Sequence, residues 1–260
     1  MAKEENSCKI PLSVVIIAKN EEANIEECLR SVAFAEEIIV VDDFSDDNTE
    51  EIAKRLGAKV YQRKLDGWGP QQTFAITQAT QPWLLLLDCD ERITPKLAQE
   101  IRERVSHNEK FAYEIKRINH FKRLRVNHGV LRPDYVPRLI PRAGTSVEGL
   151  VHPKIVYPYP TKKLRAPMLH FTYESWTAYL VKLEKYTRLA AQKKYDQGKR
   201  AHFFLDIILR PAFAFFKIHF LNLGFLDGRI GLCLSIGHYY YTAMKGIRLY
   251  YLQKNAENNH

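Results

Sequence analysis

The sequence predicts an α/β fold, a mainly parallel sheet with flanking helices, extended at its C-terminal end by amphipathic helices. Three observations carry that reading. Continuous apolar runs, "LSVVIIA" (12–18), "EIIVVDD" (37–43) and "WLLLLD" (83–88), are short and not alternating, so they read as strands buried on both faces. Helix-period segments with short connections separate them, the order that a parallel sheet requires. Beyond residue 200 the chain changes to long aromatic stretches broken by single charges.

Each element has its own signal. After the first strand, Ile25, Cys28, Leu29 and Val32 recur at the i, i+3, i+4, i+7 spacing of one helix face. The second strand leads into "DDNTEEIAKRLG" (46–57), a helix with its cap near Asn48, acids in its first turn and Gly57 as its stop. "AKVYQ" (58–62) is a short third strand, and "PQQTFAITQAT" (70–80) opens on a proline suited to a helix N-terminus. After the fourth strand, Thr94 and Pro95 open a helix that carries Leu97, Ile101 and Val105. "FAYEIKRI" (111–118) alternates, which predicts a further strand with one wet face. "YESWTAYLVKLEKYTRLAAQKKYDQGK" (173–199) predicts a long cationic helix.

Composition narrows the function classes. A chain of 260 residues with 46% hydrophobic content can bury one large core, or one core and an appendage. Cys8, Cys28, Cys89 and Cys233 show no paired spacing, which argues against a disulfide framework or a zinc site. The start, "MAKEENSCKIPLS", lacks the apolar stretch of a secretory signal, so the cytoplasmic side is expected. Net charge is +9, unevenly spread: residues 1–100 hold 11 Lys/Arg against 19 Asp/Glu, and residues 101–260 hold 28 against 11. So basic a second half predicts a surface that meets anionic lipid, nucleic acid or a phosphorylated substrate.

The acids of the first half gather where chemistry is expected. Ligands bind beyond the carboxyl ends of parallel strands, and two of the buried strands end in Asp42-Asp43 and Asp88-Cys89-Asp90. Asp46, Asp47 and Asn48 are explained as helix-cap and turn residues, but Asp88 and Asp90 are not, because Thr94-Pro95 already starts the next helix. Residues i and i+2 of an extended or tight-turn backbone can point the same way. Two hard oxygen ligands on one side suit Mg²⁺ or Mn²⁺ carrying a diphosphate.

These residues also resemble a known family. "SVVIIAKNEEANIEECLRSV", "EEIIVVDDFSDDNTEEIAKRLGAKV" and "LLLLDCDERI" look like the successive nucleotide-sugar motifs of family 2 glycosyltransferases, and the likeness continues through "PDYVPRLIPR" (133–142), "GLVHP" (149–153), "LHFTYES" (169–175) and "GFLDG" (224–228). The resemblance is nearest to bacterial enzymes that add β-1,4-linked glucose to the first heptose of the lipopolysaccharide inner core. It implies a GT-A, Rossmann-like fold and a UDP-sugar donor.

It also implies roles. Ala18, Lys19, Asn20 and Glu21 would line the nucleotide pocket and Asp43 would accept from the uracil edge. Asp88 and Asp90 would hold ribose and metal, with Asp90 the more direct metal ligand. Relatives often carry a basic residue near position 72 for the diphosphate; Gln71, Gln72 and Thr73 stand here, leaving Lys64 or Arg63 as substitutes. His152 resembles a histidine that completes the metal shell in some relatives, although the usual "VHE" reads "VHP" with Pro153; His170 is a weaker candidate. Inversion at the anomeric carbon needs a carboxylate base on the acceptor hydroxyl, and Glu148 is favoured over Asp134.

The expected organisation is a catalytic domain over 1–172 and a helical, basic and aromatic region over 173–260. In "FFLDIILRPAFAFFKIHFLNLGFL" (203–226) Asp206, Arg210 and Lys217 would form one polar stripe beside a broad aromatic face, and "IGLCLSIGHYYYTAM" (230–244) is too short to span a bilayer. Both predict helices lying on the inner-membrane surface, with lipopolysaccharide core as acceptor and no nucleic acid. A polyprenyl-phosphate acceptor is the alternative, and a basic nucleic-acid-binding protein the non-enzyme alternative.

Overall fold

A computed structural model describes residues 8–149 and 154–258, in two compact units: Met1–Arg117 with Asp134–His170, and Ile118–Pro133 with Phe171–His260. The first unit opens with β1 (Ile10–Ala18), α1 (Glu22–Ser31), β2 (Ala35–Asp42), α2 (Thr49–Arg55), β3 (Lys59–Gln62), α3 (Trp68–Thr77), β4 (Trp83–Asp88), β5 (Glu91–Arg92) and α4 (Pro95–His107). Later strands are β6 (Ala112–Phe121), β7 (Leu124–Val126), β8 (Asp134–Pro141), β9 (Ser146–Glu148), β10 (Lys154–Val156), β11 (Thr161–Lys163) and β12 (Met168–Tyr173).

β1 lies between β2 and β4, parallel to both, and β3 extends the parallel set beyond β2. β8 joins β4 antiparallel and β6 joins β8 antiparallel, so the sheet is mixed beyond β4. Side chains of a strand alternate between faces, and here each face has its own core. Val14, Ile16, Leu85 and Leu87 pack with Ile25, Leu29, Leu97 and Ile101 from α1 and α4. Val15, Ile39, Leu84 and Leu86 pack with Ala75 and Ile76 from α3. The four leucines are apolar without alternation because two cores need them, each burial contributing about 1.5–3 kcal/mol.

Two local expectations change. β6 is drier than expected: Glu114 and Lys116 are half-buried, alternating with buried Tyr113 and Ile115. Asn48 does precede α2, but its side chain donates to Glu22 at 3.0 Å, and Asp47 Oδ1 accepts from the Thr49 N–H at 3.0 Å instead. Thr94 behaves as expected, accepting from Leu97 N–H ahead of Pro95.

The second unit is helical and aromatic. α5 (Trp176–Asp196) is capped by Ser175, whose Oγ accepts from Ala178 N–H at 3.0 Å. Residues Phe203–Leu209 and Lys217–Leu221 form π turns on either side of α6 (Arg210–Phe216). α7 (Gly228–Asn258) runs 31 residues, well past the expected 230–244. Among the described residues no helix is long and apolar enough to cross a membrane. A small core joins Phe121, Val126, Leu131, Tyr179 and Leu234.

The expected polar stripe of 203–226 splits. Asp206 is buried, accepting from His202 N–H at 2.9 Å and pairing with Arg210, while Arg210 is half exposed. Asp206 and Arg210, four residues apart, still pair, and it is packing against α7 that covers Asp206. Gly246 of α7 lets that segment approach, since a Cβ there would stand 2.5 Å from the Asp206 carbonyl oxygen. The aromatic face stays outside, with Phe204 74% and Phe213 61% exposed.

Candidate active site

Strand register brings the acidic tips together. Ala18 pairs with Asp42 across β1–β2, and Ile17 pairs with Asp88 across β1–β4, so both carboxyl-terminal tips flank the end of β1. That is the edge where ligands of parallel sheets bind.

At the β1 and β2 tips, side chains stitch two loops. Asp43 N–H donates to the Ala18 carbonyl at 2.9 Å, and Lys19 Nζ donates to the carbonyls of Asp43 and Phe44, each at 2.6 Å. Asn20, in the left-handed region at φ 55°, donates its N–H to Ser45 Oγ and accepts from Asp46 N–H, both at 2.9 Å. Glu21 N–H donates to Thr49 Oγ1 at 2.7 Å. Asp42 is buried and accepts from Ser45 N–H at 2.9 Å, which makes it the anchor of the turn. Asp43 is only half-buried, with Oδ1 accepting from Leu65 N–H at 2.9 Å. Phe44 follows it at φ 50° and 54% exposed. A bulky residue in that region is strained.

Two of the expected pocket residues turn their side chains inward. Ala18 turns its methyl into the core, so only its backbone faces the loops. Gln71 is fully buried: its Nε2 donates to the Arg63 carbonyl at 2.8 Å and its Oε1 accepts from the Arg63 guanidinium. Arg63 also binds Asp66 through two bonds, 2.9 and 2.7 Å. Gln71 and Arg63 therefore hold the 63–66 loop, while Lys64 is exposed.

At the β4 tip Asp88 and Asp90 flank Cys89. Cys89 turns into the core, and Asp88 and Asp90 keep 49% and 27% of their side chains exposed. His170 of β12 places Nε2 3.3 Å from Asp90 Oδ2. Asp88 pairs with Arg138, a buried residue of β8. The same guanidinium meets Glu91 at 2.7 Å, and Arg117 of β6 lies 3.7 Å from Glu91. Burial pushes the Glu91 carboxyl up, against the pull of Arg138. Burial likewise pushes both the Cys28 and Cys89 thiols well up, so neither offers a thiolate.

The two base candidates differ. Asp134 is bidentate with Arg117, at 2.9 and 2.5 Å, and although burial raises its carboxyl that bond brings it below the ordinary carboxylate value. Glu148 is exposed, opposite Lys154 in the β9–β10 hairpin. α3 places it: Gly69 N–H donates to the Gly149 carbonyl at 3.1 Å, and a Cβ at Gly69 would stand 2.3 Å from that oxygen. Thr73 adds a two-way bond with the Val147 backbone, at 2.9 and 3.2 Å. His152 and Pro153 lie outside the described residues.

Residues 13–129 match the family model described as glycosyl transferase family 2. An uncharacterized glycosyltransferase of Rickettsia typhi is 42% identical over 109 residues, 40% of this chain and 37% of that protein's length. The lipopolysaccharide core biosynthesis glycosyltransferase LpsC of Rhizobium meliloti is 26% identical over 234 residues, 82% of each chain. Among solved structures, glucosyl-3-phosphoglycerate synthase from Mycobacterium tuberculosis with Mn²⁺, UDP and glucosyl-3-phosphoglycerate aligns at 23% identity and a TM-score of 0.35, over 44% of this chain and 45% of that one.

Proposed function

We propose, for a chain that carries a glycosyl transferase family 2 domain over residues 13–129, that it moves glucose from UDP-glucose to a heptose of the lipopolysaccharide inner core, with inversion. The supporting observation is the convergence of the Asp42-Asp43 and Asp88–Asp90 tips on the end of β1. A relative named for lipopolysaccharide core biosynthesis, similar along 82% of its length, supports the acceptor class.

Asp43 receives the uracil edge and Asp88 the ribose, with the exposed Phe44 next to Asp43 offering a ring for the base. Glu148 takes the proton of the acceptor hydroxyl as its oxygen bonds to the anomeric carbon and the bond to UDP breaks. Asp134 is less suited, because Arg117 already occupies its carboxylate. The donors at the β4 tip fit a hard cation: two partly exposed carboxylates, with the neighbouring thiols held neutral. Among the described residues no group of three metal-ligating side chains converges, so Asp90 and Asp88 would hold Mg²⁺ or Mn²⁺ together with diphosphate oxygens and water. Bound there, the ion would neutralise charge building on the departing diphosphate.

The second unit suits work at the cytoplasmic surface of the inner membrane, with the exposed aromatics of 203–226 facing lipid and the basic surplus facing its headgroups. That face equally suits an acceptor on polyprenyl phosphate. A panel of UDP-sugars offered with truncated lipopolysaccharide acceptors, and NMR of the product linkage, tests the proposal. Transfer of glucose to heptose is expected. A protein whose melting temperature ignores every UDP-sugar, with or without Mn²⁺, would overturn it, since a ligand that binds only the folded state must stabilise it.

A further inference from the structure

The second unit holds a cavity of about 380 Å³, within the 300–1,000 Å³ common for small-ligand sites. Its wall carries five cations from separate elements: Lys194 of α5, Lys199 and Arg200 of the following loop, Arg210 of α6 and Lys245 of α7. The one carboxylate in the wall, Asp206, is committed to Arg210 and to the His202 N–H. A folded chain gains nothing by crowding like charges in a recess, because each raises the cost of the others. Burial, then the positive charge of Arg210 and Lys199, lowers the affinity of Lys194 for its proton; burial, then Lys194 and Arg210, does the same for Lys245. Such a cluster calls for an anion with several acceptor oxygens.

We propose that this cavity is a binding site for a phosphate group, carried on a lipid headgroup or on a soluble ester. Lys194, Lys199, Arg200 and Lys245 donate to its oxygens, and Arg210 balances it against Asp206. Location favours the phosphate over other anions: Arg210 belongs to the 203–221 segment whose Phe204, Leu209 and Phe213 are exposed, so one wall of the recess shares a segment with exposed apolar side chains. The site is independent of the transfer reaction and of the acidic tips of the first unit.

The test is thermal unfolding of the full chain during titration with inorganic phosphate, with chloride adjusted to hold ionic strength constant. A saturable rise in melting temperature is expected. In Lys194→Gln/Lys245→Gln the phosphate concentration for half protection should rise at least about tenfold, as loss of a charge-assisted hydrogen bond implies. Without phosphate that variant should melt at or above the wild-type temperature, since crowding is relieved. If it does not fold, Lys199→Gln/Arg200→Gln carries the same expectation. Flotation on vesicles containing phosphatidic acid, or oleate at matched surface charge, separates the sources. A preference for phosphatidic acid that the variant loses identifies a headgroup, and equal binding to both identifies a soluble ester. Wild-type protein without saturable protection, or protection undiminished in both variants, would overturn the site.

Discussion

Arg138 meets Glu91 at 2.7 Å with 8% and 0% of their side chains exposed, a buried ion pair directly behind the acidic tip of β4. Removing one partner strands a charge where water cannot reach it, which costs about 3–5 kcal/mol. Arg138→Met should therefore lower the urea midpoint sharply. Arg138→Met/Glu91→Leu should regain most of the loss, because the pair itself contributes little over well-packed apolar groups. A double variant no better than the single would refute this account of the pair.

Asp90→Asn should reduce transfer by about 10²–10³-fold, the usual consequence of losing one electrostatic stabiliser of the departing charge. Its melting curve should stay near wild type, because Asp90 sits at a half-buried turn and Asn keeps its size and hydrogen-bonding oxygen. Initial rates and circular dichroism read the two quantities separately. Full activity in a folded Asp90→Asn protein contradicts the metal assignment.

Glu148→Gln should lower kcat by about 10²–10⁴-fold while UDP-glucose affinity by calorimetry stays within about twofold, since a base acts only on the acceptor step. Asp134→Asn should act differently, loosening the pair with Arg117 and lowering the melting temperature. Should Asp134→Asn reproduce the kcat pattern instead, the base is Asp134.

Acid stability has a specific source in Glu37, a buried residue of β2. Burial works to raise its carboxyl, but Lys59, Ser13 and the Thr80 N–H overcome this and bring it to about 2, from an ordinary 4.5. A depressed carboxyl stabilises the fold above its unfolded value and loses that contribution as pH falls from about 4.5 towards 2. The amount at stake is on the order of 3 kcal/mol. Glu37→Gln should flatten the acid limb of a plot of unfolding free energy against pH in this window, and leave its shape above pH 5 unchanged.

Full-length protein should float with anionic vesicles at low salt and come off partly in high salt, with detergent releasing the rest. Phe204→Asp/Phe213→Asp should abolish the salt-resistant fraction, because those side chains are the most exposed aromatics of the helical segment. Wild-type protein that ignores anionic liposomes removes the membrane reading.

Which parts of this were readable from residues alone follows from how each is encoded. Strand β4 was, because a run buried on both faces needs no alternation, and the convergence of tips follows from parallel order. Arg138, Glu91 and Arg117 were not, because antiparallel register of β6 and β8, not sequence spacing, carries them to the β4 tip. Gln71 looked available to a diphosphate beside other polar residues; its burial depends on how α3 meets the Arg63 loop. Phe44 gave no signal, since its residue type does not announce a left-handed backbone. Asp206 was placed on an outer stripe because sequence spacing does not show that α7 packs over it at Gly246.

The stitching between the β1 and β2 loops bears on how fast a ligand comes and goes. Asn20, Glu21 and Lys19 tie down the turn around Asp43 through backbone groups, so the chain there is already ordered before anything arrives. Ordering entropy, which commonly weakens binding to mobile loops, is small at this edge. Such a rim also has no slack with which to fold over its occupant. Residence time is then set by contacts made directly in the cleft, and a change of partner requires no slow rearrangement of these two loops.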